Sequence, residues 1–119
     1  MSHINVVKVQ MKNEDAVMAA AKHLGLTVLG RQKFNLYEGA VEGLGLKLEG
    51  WRYPVVLDLE TGEVKYDNYN GSWGDQVQLD RLVQRYGVEC ARLEAEMHGY
   101  QYQETLLPNG DVEVELLVH

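Results

Sequence analysis

The chain of 119 residues has the size of one domain and is long enough to bury a single hydrophobic core. With 45% hydrophobic and 24% charged residues it reads as globular, and its formal net charge of -7 argues against general binding to nucleic acid or anionic membranes. Cys90 is the one cysteine, which excludes an intrachain disulfide, and no signal peptide or run approaching the roughly 18 apolar residues of a membrane span is visible, so a cytoplasmic location is expected.

In chain order, Ile4 to Met11 ends in alternation, with Val7, Val9 and Met11 on one face, and predicts a strand. Asn13 is placed to cap a helix whose first turn carries Glu14 and Asp15. Val17, Ala20, Ala21 and Leu24 follow at helical spacing, and Gly25 can end it. Thr27–Leu29 and Phe34–Tyr37 read as two brief strands separated by the polar Arg31, Gln32 and Lys33. Gly39, Gly43, Gly45 and Gly50 predict a flexible approach, but Leu44, Leu46 and Leu48 alternate within it as a strand. After Tyr53-Pro54, Val55, Leu57 and Leu59 share one face, and Thr61-Gly62 turns the chain into a return strand over Glu63 to Tyr66.

A second helix is expected behind Asp75 as its cap, with Leu79, Leu82, Val83, Tyr86, Cys90, Leu93 and Met97 in one stripe. Gly87 predicts a kink or break in its middle, and Gly99 its end. A closing hairpin, Tyr100 to Leu107 and Asp111 to Val118, turns through Pro108-Asn109-Gly110 and would face Val112, Val114, Leu116 and Val118 to the core. These elements predict one α+β domain over residues 1–119, a two-layer sandwich of a mostly antiparallel sheet with two main helices on one face.

The densest functional signal is Tyr66-Asp67-Asn68-Tyr69-Asn70-Gly71-Ser72-Trp73-Gly74, between the first hairpin and the second helix. Its rings with polar tips, joined by Trp51 and Tyr53, suit either a recognition groove or a core plug. Asp67 and Asp75 could supply paired carboxylates to a metal or a general base, or could serve a turn and a helix cap. No GxGxxG, GxxxxGK[ST], HExxH, CxxC or GxSxG spacing occurs, His3, His23, His98 and His119 are scattered, and Cys90 falls on an apolar stripe. No cofactor, metal or catalytic residue is therefore assigned.

The start Met1-Ser2-His3-Ile4, the segment Trp51-Arg52-Tyr53-Pro54-Val55-Val56, the Tyr66 to Gly71 and Trp73-Gly74-Asp75-Gln76 runs, Arg85-Tyr86, Gly99-Tyr100 and Asn109-Gly110 together carry a resemblance across nearly the whole chain. The sequence is similar to a domain-of-unknown-function family that includes a hypothetical chloroplast open reading frame and cyanobacterial members, and looks closest to its bacteriophage branch. The resemblance implies a single cytoplasmic domain and supplies no reaction; it is also why His3 joins the candidates.

The expected function is a small acidic protein-binding or regulatory factor, phage-encoded and acting on a host protein. Tyr69, Asn70 and Trp73 would be its contacts, with Asp67, Asp75, Trp51 and His3 beside them. The alternative is a small-molecule or metal-binding, enzyme-like domain using the Tyr66 to Asp75 segment. A protein partner is thus expected, a membrane is not, and nucleic acid ranks below both readings. The hairpin edge leaves a homo-oligomer open, although Glu113 and Glu115 would discourage edge pairing.

Overall fold

The computed structural model of the chain describes residues 5–7 and 10–117. Its elements are β1 (Asn5–Val7), α1 (Glu14–Leu24), β2 (Thr27–Asn35), β3 (Ala40–Lys47), β4 (Val55–Leu57), β5 (Val64–Tyr66), α2 (Gln76–His98), β6 (Gln101–Leu106) and β7 (Val112–Leu117). The first five strands form an antiparallel sheet in the order β1-β5-β4-β3-β2, and β6 and β7 form a separate antiparallel hairpin. The fold is α+β, with both helices packed on one face of the larger sheet.

Local chemistry sets the helix ends. The Asn13 side chain accepts from the Ala16 amide at 3.1 Å, while Gly25 adopts a left-handed φ of 71° that turns its own N–H back onto the last carbonyls of α1. Asp75 caps α2 by accepting from the Val77 amide at 3.0 Å, and Gly99 closes it at φ 69°. The buried face of α1 is built from Ala16, Val17, Ala20 and Ala21. Three alanines there let α2 come close and complete a core with Leu44, Leu46, Leu48, Leu57, Leu79 and Leu82. Tyr86 joins the two helices, its hydroxyl accepting from the Asn13 amide at 3.1 Å.

Three expectations need correction. Thr27 to Asn35 is one nine-residue strand rather than two, because the polar triplet lies on a sheet edge where it can face water, and a bulge between Val28 and Gly30, with Gly30 at φ 83°, absorbs the irregularity. Strand β3 begins at Ala40, so the glycine-rich approach is itself sheet: a side chain at Gly45 would overlap the Phe34 ring lying across it. Helix α2 runs unbroken for 23 residues through Gly87, since tertiary packing on both sides of that position outweighs the local cost of glycine. Of the first predicted strand, Ile4, Lys8 and Val9 lie outside the described residues, as does Val118 of the closing hairpin.

Beyond Tyr86, α2 keeps only Cys90 and Leu93 half-buried against the main core and is covered on another side by the hairpin, whose inner face presents Tyr102, Glu104, Val112, Val114 and Leu116. The apolar stripe runs out there, with Met97 78% exposed. An ion network replaces it. Arg85 donates to Glu89 at 2.6 Å and to both carboxylate oxygens of Glu104 at 2.9 and 3.0 Å, Arg92 donates to the other oxygen of Glu89, and the Tyr102 hydroxyl donates to Glu104. Arg85 holds the Glu104 carboxyl below the ordinary glutamate range against an opposing effect of burial. Burial and the neighbouring Glu104 push the Tyr102 hydroxyl up.

Two outcomes follow from this packing. Gly87 is exposed, and nothing stands within 4 Å of an added Cβ. Gly87→Ala should therefore stabilise the chain by about 0.5–1 kcal/mol, read as a rise of roughly 2–5 °C in thermal midpoint. Glu104 titrates lower folded than unfolded, so its contribution is complete above the ordinary glutamate pKa of about 4.3 and is lost as pH falls through the depressed value. Urea unfolding of Glu104→Gln across the acid range should show lower stability at neutral pH and a flatter acid limb than the parent chain.

Candidate functional site

The site is built on the turn after β3. Trp51 donates its backbone N–H to the Leu48 carbonyl and buries its ring, leaving 3% exposed. The indole lies against Gly74, where an added Cβ would overlap three of its ring carbons, and its Nε1 donates to the Asp75 carbonyl at 3.1 Å. Tyr66 meets the same indole edge-on at 5.9 Å. The next residue continues the clasp, with the Arg52 amide donating to the Trp73 carbonyl at 2.7 Å. Two consecutive residues of one loop thereby hold the segment entering α2.

Within that segment, the Asn68 carbonyl accepts from the amides of Gly71 and Trp73 at 3.0 and 2.9 Å, closing a tight turn. The Asn68 side chain donates to Gln76 at 3.1 Å and so ties the turn to the first residue of α2. Tyr69 and Asn70 sit at φ 47° and 53°, in the left-handed region that asparagine tolerates but that costs a tyrosine about 1 kcal/mol or more. This conformation turns Tyr69 outward over Trp73. Asp67 is fully buried; one carboxylate oxygen accepts from the Tyr69 amide at 3.4 Å, and the other has no partner among the described residues.

The result is a raised platform centred on Trp73. Tyr69 stacks on its indole at 4.8 Å and 25°, Tyr37 leans on it at 5.3 Å and 54°, and Tyr53 meets it at 5.5 Å and 67°. The Arg52 guanidinium lies over the same indole at 5.0 Å from its centroid and over Tyr53 at 5.9 Å. Tyr37 is 62% and Tyr69 39% exposed, Arg52 is exposed, and Trp73 and Tyr53 are half-buried. Rings inclined at such angles make a corrugated surface rather than a flat one.

The candidates from the sequence divide accordingly. Tyr69 and Trp73 come together on the platform, and Asn70 is exposed beside them. Asp75 serves the helix cap. Trp51 and Asp67 are buried and present no side chain at the surface, because the first fills the space under Gly74 and the second lies beneath the Asn68 turn. His3 lies outside the described residues. Tyr37 and Arg52 were not singled out by sequence. Tyr37 reaches Trp73 from the β2–β3 turn, closed by the Leu36 amide on the Gly39 carbonyl, and its one signal was a lone aromatic beside a turn glycine.

Asp67 and Asp75 do not form a metal site: among the described residues no group of three or more His, Cys, Asp or Glu side chains is placed to hold an ion. A shallow cavity of about 470 Å³ between the helices is lined by Lys22, His23, Arg85 and Arg92 with Glu89 among them, and its arginines are already committed to Glu89, Glu96 and Glu104. Among the described residues no helix is long and apolar enough to cross a membrane. No protein-family model, curated protein or solved structure matches the chain.

Gly74 tests the coupling of core and platform. Gly74→Ala forces a methyl group into the buried Trp51 indole and should cost about 1–3 kcal/mol. Because Trp51 takes the methyl group and Trp73 is its sequence neighbour, the loss in urea unfolding should be accompanied by a changed tryptophan emission already in the native baseline, and the same substitution in a Trp73→Phe background reads the Trp51 share alone.

Proposed function

We propose that the chain is a small acidic protein-binding factor acting in the cytoplasm, which engages its partner through the Trp73 platform. The carrying observation is that three tyrosines and an arginine gather on one half-buried tryptophan while Tyr37 and Tyr69 remain exposed. Tryptophan, tyrosine and arginine are the residue types that dominate binding energy at protein interfaces, and tyrosine adds contact area at small entropic cost. The burial of Asp67 and the capping role of Asp75 weigh against an enzyme-like use of this segment. The resemblance to a bacteriophage branch gives the factor a setting, a phage-encoded protein acting on a host protein. The net charge of -7 sets nucleic acid below a protein as the partner.

The test is capture from bacterial host lysate by the immobilised wild-type chain and by a Tyr37→Ala, Tyr69→Ala double variant, with Glu113→Gln on the distant hairpin as the control. Proteins held by the wild type and the control should be lost from the double variant, each tyrosine contributing about 1–2 kcal/mol. Identical protein lists from all three chains would remove the platform from the binding function.

A further inference from the structure

The platform has an uneven hydrogen-bonding character. Trp73 Nε1–H and the hydroxyls of Tyr37, Tyr53 and Tyr69 have no hydrogen-bond partner among the described residues, and the Arg52 guanidinium lies over the Tyr53 and Trp73 rings. Of the neighbouring carboxylates, Asp67 is buried, Asp75 is turned to the Val77 amide, and Glu38, exposed beside Tyr37, is already engaged in an interaction of its own. The surface thus offers two groups that can only donate, the Trp73 indole N–H and the Arg52 guanidinium, and three hydroxyls that can donate or accept, all backed by aromatic rings. Its complement is a ligand with free acceptors for these groups and compact apolar rings for the notches between inclined aromatics.

A peptide in helical or strand conformation has used most of its carbonyls internally or in a ladder. A polyproline II segment leaves all of them free, and its prolines carry no N–H at all. Its backbone is also preset, so little conformational entropy is lost when it docks, and aromatic-lined surfaces are the general means by which such segments are held. Arg52 adds a requirement of charge. The chain as a whole is acidic, but beyond about 8–10 Å that charge is screened at physiological salt, so the cation on the platform acts on a group of opposite sign docked directly beside it.

Resting on the binding role of the platform, we propose that its ligand is a proline-rich segment in polyproline II conformation with an acidic residue flanking the prolines. Tyr37, Tyr53, Tyr69 and Trp73 hold the proline rings and donate to the free carbonyls, and Arg52 meets the flanking carboxylate.

The probe is a fluorescein-labelled oligoproline bearing one terminal glutamate, titrated by polarisation against the full chain, beside the same peptide with alanine for proline and a version with glutamine for glutamate. The proline peptide should saturate, with the alanine version at least about tenfold weaker. The double variant Tyr37→Ala, Tyr69→Ala should lose about tenfold or more, and Tyr37→Phe with Tyr69→Phe, which keeps the rings and removes the donors, an intermediate amount. Arg52→Gln should lose about threefold toward the glutamate peptide and nothing toward the glutamine one. Thermal midpoints of the phenylalanine pair equal to the parent establish that these chains are folded. Absence of saturation, equal affinity for the proline and alanine peptides, or binding indifferent to the tyrosines overturns the proposal. If lysate capture still depends on Tyr37 and Tyr69 in that case, the binding surface stands and only its proline ligand falls; capture indifferent to both tyrosines removes the two together.

Discussion

The contact between the Trp51 indole and the bare Cα of Gly74 is the constraint on which the rest of the site depends. A flat ring of that size can be buried at the sheet edge only where the opposing chain has no side chain, and Gly74 supplies the opening. With the ring seated, its Nε1 needs an acceptor and finds the Asp75 carbonyl, which brings the helix cap to the core. The Arg52 amide then fixes the Trp73 carbonyl, and the outward side of the same two-residue clasp becomes the platform. Core formation, the start of α2 and the exposed aromatic surface are therefore one packing event.

Much of the fold was legible because its signals are local. Asn13 and Asp75 as caps, Gly25 and Gly99 as terminators, and the helical spacing of Val17, Ala20 and Ala21 report on neighbours three or four residues away, and all have the predicted roles. The misreadings came from longer-range competition. Arg31 to Lys33 interrupts an apolar pattern, yet an edge strand has a solvated side that takes polar residues, and Arg31 pairs there with Glu14. Gly87 carries an unfavourable helix propensity that is small beside the burial of Leu82, Tyr86, Val88 and Ala95 on the same helix. Tyr69 and Trp73 could be found as a pair because they are close in sequence, whereas Tyr37 and Arg52 join them only through the pairing of β2 with β3 and the loop at Trp51.

The hairpin illustrates a different balance. Its inner face is only half apolar, and Glu104 points at α2 from a position where a leucine would bury more surface. Moving charges out of water is costly, and networks of this kind are seldom the most stable choice. What the network adds is geometric: Arg85 accepts one placement of Glu89 and Glu104 at once, with Arg92 fixing the second oxygen of Glu89. A purely apolar two-stranded hairpin on a helix could slide by two residues and keep its faces; with Glu104 bound to Arg85, that slip would strand a carboxylate among valines.

The conformation of Tyr69 and Asn70 bears on what the platform is for. Asparagine tolerates the left-handed region, but if the turn existed only to join β5 to α2, glycine in place of Tyr69 would relieve a cost of about 1 kcal/mol or more. The chain instead carries a tyrosine at φ 47°, where a glycine would be easiest, and a stacked ring pair returns only about 0.5–1.5 kcal/mol. Backbone strain and side-chain stacking thus come close to cancelling, leaving little net stability to account for the residue. The buried Asp67 oxygen, without a partner among the described residues and beneath the same turn, adds a further cost. A segment that spends stability in both backbone strain and a buried polar atom while leaving 39% of Tyr69 exposed is organised around its outward surface.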